Sequence, residues 1–389
     1  MPENTIYLDN AASTQPDPAV IEAMNEALTV RWGNPSSAHD IGSKARAWVE
    51  EARNRVAALM GCVSDEVYFT SGGTEADNWA LLGVLDYWRE KKNHLITVAT
   101  EHHAVLDTAK LWQERGGRAT ILKVDAQGLL DPQDVARAIT PQTAVVSVMH
   151  VNNELGVVQD VAAIGAVCRE RAVTFHADCV QSYGKLRFTF PELNADLASI
   201  SGHKIYGPKG VGALIIRRGT RISPRFIGGS QERSLRTGTE NAPGIFGFGK
   251  AAELCQMFFE DEIPLVRALR DHLEMRILGE ISDVRVNGSR EKRAPGLLNV
   301  SFPGCDGEAL LIALDQRGFC VSTGSACSAG AVGASQVLMA LGLDVMVAQS
   351  SLRFSIGRFN TQEDLDALMK VLPDLVQRQR QQSRAMFAK

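Results

Sequence analysis

The sequence predicts an α/β protein, a mainly parallel sheet of seven strands sandwiched by helices, with a smaller α+β domain attached. Three observations carry this. Short, continuously apolar runs recur from Val67 to Ile216, with helical segments between most of them. Unbroken apolar strands alternating with helices are the pattern of a parallel sheet covered on both faces. After about Phe248 the texture changes to one long helical segment and then short strands, and 389 residues suffice for a large domain plus a smaller one.

The elements follow in order. Ile6-Tyr7-Leu8-Asp9 reads as a short strand, and residues 17–30 as a helix entered through Pro16 and Pro18. Residues 43–60 have helical periodicity and stop at Gly61. The seven strands are expected at residues 67–69, 95–98, 119–122, 144–148, 173–175, 197–200 and 212–216. A long helix is expected over 249–281, irregular near Pro264, then strands at 298–302, 320–322 and 352–355. The large domain is expected to span 15–255, and the small one 1–14 with 256–389. The Gln- and Arg-rich tail, 377–384, reads as a fraying helix end or as a partner-docking segment.

Composition narrows the function classes. Hydrophobic residues make up 45% and charged residues 22%, ordinary for a globular protein. A net charge of −4 argues against direct nucleic-acid binding. No apolar run approaches the roughly 20 residues of a membrane helix. The first residues, Met1-Pro2-Glu3-Asn4-Thr5, lack a basic region and an apolar core, so no secretory signal is expected. The seven scattered cysteines form no CxxC and fit reduced thiols in the cytoplasm, where a lone cysteine can be catalytic.

The chemistry centres on Ser201-Gly202-His203-Lys204, between an expected strand and the turn-forming run Ile205-Tyr206-Gly207-Pro208-Lys209-Gly210. Strand ends of this kind border the ligand crevice of open α/β sheets. A lysine there can lose its proton by desolvation and become an amine nucleophile that forms Schiff bases; it can also be one more surface lysine. Ser201 and His203 suit a phosphate. Upstream, Thr70-Ser71-Gly72-Gly73-Thr74-Glu75-Ala76-Asp77-Asn78 follows a strand, and the backbone N–H groups where Thr74 opens a helix form a phosphate cradle. The alternative is an ordinary cap with Asp77 as Thr74's partner. The pair His102-His103 follows another strand, suited to metal or to an imidazole over a cofactor ring. His150-Val151-Asn152-Asn153-Glu154 offers hydrogen-bonding groups. Asp178, at a strand end, can hold a pyridinium nitrogen protonated, with Gln181 in reach of a phenolic oxygen; a helix cap, or a metal set with His176 and Cys179, is the alternative. The ordered set supplies every group that pyridoxal 5'-phosphate (PLP) needs, with no metal.

The chain resembles the cysteine desulfurases of the NifS/IscS group, within the fold type I PLP enzymes. The likeness rests on residues 7–14, 70–78, 101–103, 151–157, 176–178, 201–204, Arg236-Thr237-Gly238-Thr239-Glu240-Asn241, Ser322-Thr323-Gly324-Ser325-Ala326-Cys327-Ser328 and Arg353-Phe354-Ser355-Ile356-Gly357-Arg358, in the family's order. The resemblance implies that L-cysteine is converted to L-alanine and its sulfur passed to Cys327 as a persulfide. Lys204 holds the cofactor and then acts as acid and base, and His103 stacks on the ring and shuttles protons, so that Cys327, Lys204 and His103 are the catalytic residues. Asp178, Gln181 and Asn153 hold the ring; Gly73, Thr74, Ser201 and His203 hold the phosphate. Thr239 reaches the phosphate of the other subunit of a homodimer, whose sites lie at the interface. Arg353 grips the substrate carboxylate, with Asn10 and Asn153 beside it. A protein acceptor takes the sulfur for iron–sulfur assembly, tRNA thiolation or another pathway.

Residues 321–334, which carry Cys327, are almost all Gly, Ala, Ser, Thr and Val, suited to a mobile loop. The other six cysteines are expected to be inert. Two departures stand out. The family often continues with Glu-Pro-Ser-His/Tyr-Val-Leu, where this chain has Gly333-Ala334-Ser335-Gln336-Val337-Leu338. The chain also ends soon after Leu375, short of the extension that housekeeping members use to dock their scaffold. A selenocysteine lyase or C–S β-lyase on the same fold, and a non-enzymatic binding subunit, are the competing readings.

Overall fold

The structure, a computed structural model, describes residues 5–323 and 334–387, with side chains as far as 383. The chain opens with β1 (Ile6–Tyr7), α1 (Pro18–Thr29) and α2 (Asp40–Met60). Asp17 caps α1 by accepting from the Ala19 N–H, and Gly61 closes α2 in a left-handed conformation, φ +65°. Then come β2 (Val67–Thr70), α3 (Gly73–Trp88), β3 (His94–Val98), α4 (His103–Glu114), β4 (Arg118–Leu122), α5 (Pro132–Ala138), β5 (Thr143–Met149), α6 (Val161–Glu170), β6 (Thr174–Asp178), β7 (Leu197–Ser201) and β8 (Gly212–Ile216).

These seven strands form one sheet in the order β2-β8-β7-β6-β5-β3-β4. Only β8 runs antiparallel to its neighbours. The C-terminal ends of β2, β3, β5, β6 and β7 therefore share one edge. Strands β2, β3, β5, β7 and β8 are buried throughout, as their Val/Ile/Leu-rich runs require. One face packs Phe69, Phe175 and Phe248 against Val49 and Val56 of α2. The other packs Leu214 and Val145 against Trp79, Leu81 and Leu85 of α3. Each such fully buried side chain contributes about 1.5–3 kcal/mol.

A single long helix, α7 (Ala242–Glu280), leads away from this sheet, with Pro264 inside it. It begins well before the residue 249 start expected from periodicity. Asn241 caps it by accepting from the Gly244 N–H. The glycines that mask its pattern are needed for close packing: a Cβ on Gly249 would lie 2.6 Å from the Cβ of Ala52 on α2. Its first half lies in the large-sheet core and its second half, from Val266, in another core with Leu8, Phe302 and Phe354. That second core is built on a three-stranded antiparallel sheet, β12-β10-β9, from β9 (Arg285–Val286), β10 (Leu297–Ser301) and β12 (Ser351–Ser355). Around it lie α8 (Gly307–Asp315), α9 (Gln336–Ala340), α10 (Val345–Gln349), α11 (Gln362–Met369) and α12 (Leu372–Phe387), while β11 (Phe319–Cys320) pairs with β1. The tail expected to fray is held as part of α12. Arg380 donates to the carbonyls of Pro303, Ser282 and Asp283.

Candidate active site

The expected residues gather at the C-terminal edge of the large sheet. Asp178 ends β6 and Ser201 ends β7, two strands paired in register. The chain then makes a single tight turn, Gly202–Lys204, and the Lys204 ammonium donates to the carbonyls of Ala11 (2.6 Å) and Ala12 (2.7 Å). The residues near the N-terminus thus cross to the large sheet's edge. His203 Nδ1 lies 3.3 Å from Ser13 Oγ, and the His203 carbonyl accepts from Thr14. Burial, with Lys204 beside it, lowers the His203 imidazole to about 4, so it is neutral at pH 7.

An anion cradle stands opposite. Helix α3 begins at Gly73 with no side-chain cap, because Gly72 at φ +152° leads into it. The alternative reading of this motif, a Thr74–Asp77 capping pair, does not form. Thr74 is exposed in the first turn, and Asp77 is buried with its carboxylate 3.6 Å from His176 Nε2. A Cβ on Gly73 would meet Val180 at 2.7 Å and would sit 3.8 Å from the Ser201 Cβ, so the helix start closes onto Ser201. The Ser201 hydroxyl is buried and has no partner among the described residues.

Beneath this lies a stack of buried acids. Asp178 accepts from the Val180 N–H at 2.8 Å, a turn rather than the helix cap weighed from sequence. Burial lifts its carboxyl to about 6, while Lys204 pulls the other way. Burial also raises Asp77 and Glu101 well above the carboxylate range, with the Asp178 charge adding to both. Ser147 and Ser199 hold the two nitrogens of His176, each at 2.9 Å, and burial lowers that ring to about 3. This engagement removes His176 from the metal set considered with Asp178 and Cys179.

The two histidines on α4 divide their work. His102 caps the helix by accepting from Ala104 N at 3.1 Å, and burial lowers it to about 4. His103 is the exposed first residue of α4, and its ring is edge-on to His102 at 6.4 Å between centroids. Gln181 is buried, donating to the Ala11 carbonyl at 2.8 Å. Asn153 is half-buried, and its carbonyl accepts from Arg353 Nη1 at 3.0 Å; its neighbour Asn152 instead holds the loop, donating to Thr100. Arg353 is buried with Nη2 on Asp9 at 2.6 Å, and its Nε has no partner among the described residues. Asn10 donates to the Ser355 carbonyl at 2.8 Å. Thr239 is exposed, after a segment pinned at two points: Arg236 pairs with Glu75 of α3, and Glu232 makes a bidentate pair with Arg53.

Cys327 lies outside the described residues. The segment resumes at Ala334, and Ser335 caps α9 while donating to the buried carboxyl of Glu154. Burial lifts Glu154 to about 7. The Ser of the family's run is thus anchored even though its Glu and Pro are missing. Sequence reasoning overlooked three charged residues: Glu154, Glu101 and Lys185. The first two stand inside the motifs singled out; Lys185, four residues past Gln181, carries no signal that sequence spacing alone reveals.

These residues fit pyridoxal phosphate. The buried, unpartnered Ser201 hydroxyl beside a bare helix start suits its phosphate, Asp178 suits its ring nitrogen, and Lys204 is the amine between them.

Comparison with known proteins agrees. The model of the aminotransferase class-V family matches residues 6–368. A cysteine desulfurase IscS from Dictyoglomus turgidum is 44% identical over 375 residues, 96% of this chain and 95% of that protein. A solved NifS-like protein superposes with a TM-score of 0.90 at 34% identity, over 96% of this chain and all of that one. SspA, solved in complex with cysteine, gives 0.82 at 36% identity, over 92% of this chain and all of its own. The chain belongs to the aminotransferase class-V family, as a pyridoxal phosphate-dependent enzyme of the cysteine desulfurase type.

Proposed function

We propose that this desulfurase binds L-cysteine between Arg353 and Lys204, transfers its sulfur to Cys327 and releases L-alanine. The observation that carries the reading is the convergence of Asp178, Ser201, Lys204 and the start of α3 on one sheet edge. Bound there, the cofactor supplies an electron sink for the bonds at the substrate's α-carbon.

The chain's own groups do the rest. Gly73, Thr74, Ser201 and His203 hold the phosphate, with Thr239 reaching that of a second subunit. Asp178 keeps the ring nitrogen protonated; a cation against its carboxyl draws the acid below its raised value. Gln181 and Asn153 orient the ring, and His103 covers it and shuttles protons. Arg353 offers a buried guanidinium to the substrate carboxylate, a bidentate match, with Asn10 and Asn153 alongside. Lys204 moves the α-proton. The Cys327 thiolate attacks the substrate sulfur: an S–S bond forms, the C–S bond breaks, and its electron pair stays with carbon, which takes a proton to become alanine. The six described thiols are unfit for this step, since burial raises every one of them.

The persulfide then passes to a protein acceptor of iron–sulfur assembly or thiolation. We place the enzyme in the cytoplasm, in line with six described cysteines that are free thiols, as a homodimer with its sites at the interface. The exposed Val30, Trp32 and Ile227 support a protein contact near the start of the chain and beside the Thr239 segment. No helix among the described residues is long and apolar enough to cross a membrane.

The test is the organic product from L-cysteine with PLP-loaded protein and a reductant. Alanine should match sulfide one to one, and Cys327→Ala should reduce both to background. Pyruvate in place of alanine, or full activity in Cys327→Ala, would overturn the role of Cys327 in favour of a lyase.

A further inference from the structure

The site holds a second half-buried lysine, for which the mechanism above has no use. Lys185 lies in the turn after β6, and its ammonium donates to Gln181 Oε1 at 3.0 Å. As an ammonium Lys185 can only donate, so in that form this contact sets the oxygen of the Gln181 amide against it. The amide nitrogen must then face the other way, and one of its hydrogens goes to the Ala11 carbonyl at 2.8 Å. That same carbonyl accepts from Lys204 at 2.6 Å. The second hydrogen remains for a ligand. With the amide turned over, its nitrogen would oppose the Lys185 ammonium and its oxygen would oppose a carbonyl.

Lys185 makes no ion pair within 4.0 Å among the described residues. The charged and titratable groups facing it are Lys204 from the turn after β7, Arg353 from β12, and Cys255 and Glu262 from α7. A cavity of about 30 Å³ runs beside it, bordered also by Asn10, Tyr206 and Glu262, room for one or two waters. Burial, with Lys204 next, lowers the ammonium to about 7, the cost of keeping a donor at that spot.

We propose that Lys185 is a positioning residue: by holding Gln181 Oε1 it aims the Gln181 amide N–H at the phenolic oxygen of the bound cofactor. This rests on the placement of the cofactor against Gln181 and Lys204. A donor on that oxygen withdraws negative charge that would otherwise stabilise a proton on the nitrogen joining Lys204 to the ring. Losing the donor raises the pH at which this nitrogen deprotonates. Asp178, His102, His203 and Lys185 itself face Lys204 and share in setting that pH.

The readout is the pH titration of the visible absorption band of cofactor-loaded, substrate-free holoenzyme. Lys185→Met should raise its midpoint by about one unit, and Lys185→Arg, which keeps a donor, should hold the midpoint near the wild-type value. In a Gln181→Ala background, Lys185→Met should add little. A Lys185→Met shift that persists undiminished in Gln181→Ala would make the lysine a mere distant charge and overturn the proposal. So would an unshifted midpoint in Lys185→Met. Lys185→Leu, which also lacks a donor, serves if the Met variant fails to fold. Lys204→Ala separates the two readings: if the band and its titration survive there, the cofactor placement has failed rather than the role of Lys185.

Discussion

The two cores of the molecule are equally buried and chemically opposite. Around β10 and β12 the interior is Leu298, Val300, Phe302, Leu352 and Phe354, all fully buried. The polar groups on that sheet mostly satisfy one another: Asn287 Nδ2 reaches Asn299 at 2.8 Å and Ser301 at 2.7 Å, leaving Asn287 Oδ1 over. At the C-terminal edge of the large sheet, Asp77 Oδ1, Glu101 Oε2 and the Ser201 hydroxyl are all buried without partners among the described residues. Three acids and four imidazoles there or nearby are pushed toward their neutral forms by burial. One region holds the fold together. The other carries a desolvation cost that a charged ligand can offset, which is where site chemistry is expected.

The largest effect should come from the first region. Phe354→Ala removes a fully buried ring from the small core and should cost about 3–5 kcal/mol in denaturant unfolding. The position of the cofactor's absorption band in mild conditions should not move. A band that shifts along with stability would show that the two regions are not separable.

A smaller effect lies where they meet. The Glu154 carboxyl has a folded pKa of about 7 against an ordinary 4.5. Its folded form therefore favours the protonated acid. The cost is absent below pH 4.5, grows as pH rises and is complete above about 7, reaching about 3 kcal/mol at most. Glu154→Gln keeps an acceptor for Ser335 and removes the titration. It should match the wild type at pH 4.5 and exceed it at pH 8 in urea unfolding. Parallel stability curves for the two proteins would rule this out.

The apolar layer was legible in the sequence almost to the residue, because the buried strands are β-branched runs that nothing else explains. All seven expected strands are present, and the small sheet's β10 and β12 lie within one residue of expectation. What escaped was set by neighbours. Strand β9 is two residues, Arg285–Val286, and owes its existence to pairing with β10. The first turns of α7 were hidden by glycines whose purpose is contact with α1 and α2. In the site, residue types at strand ends identified the cofactor's chemistry, but their partners did not follow from spacing. Asp9 meets Arg353 across 344 positions, and Lys185 meets Gln181 in a turn without helical periodicity.

The smallest and most discriminating change is Ser201→Ala. In a well-satisfied interior, deleting a hydroxyl costs stability, since a hydrogen bond is lost and a partner stranded. Ser201 has no such partner among the described residues, and its oxygen is desolvated beside Gly73. Removing it should leave the cofactor-free protein as stable as before, or more stable by up to about 1 kcal/mol. The same change should weaken pyridoxal phosphate binding about tenfold, the equivalent of one charge-assisted hydrogen bond to a phosphate. Equilibrium unfolding of the cofactor-free protein and cofactor titration of the same sample give the two numbers. Opposite signs mean that the hydroxyl is held in an unfavourable place for the ligand's sake. A loss of stability without a loss of affinity would make Ser201 an ordinary core residue and move the phosphate site elsewhere along the edge.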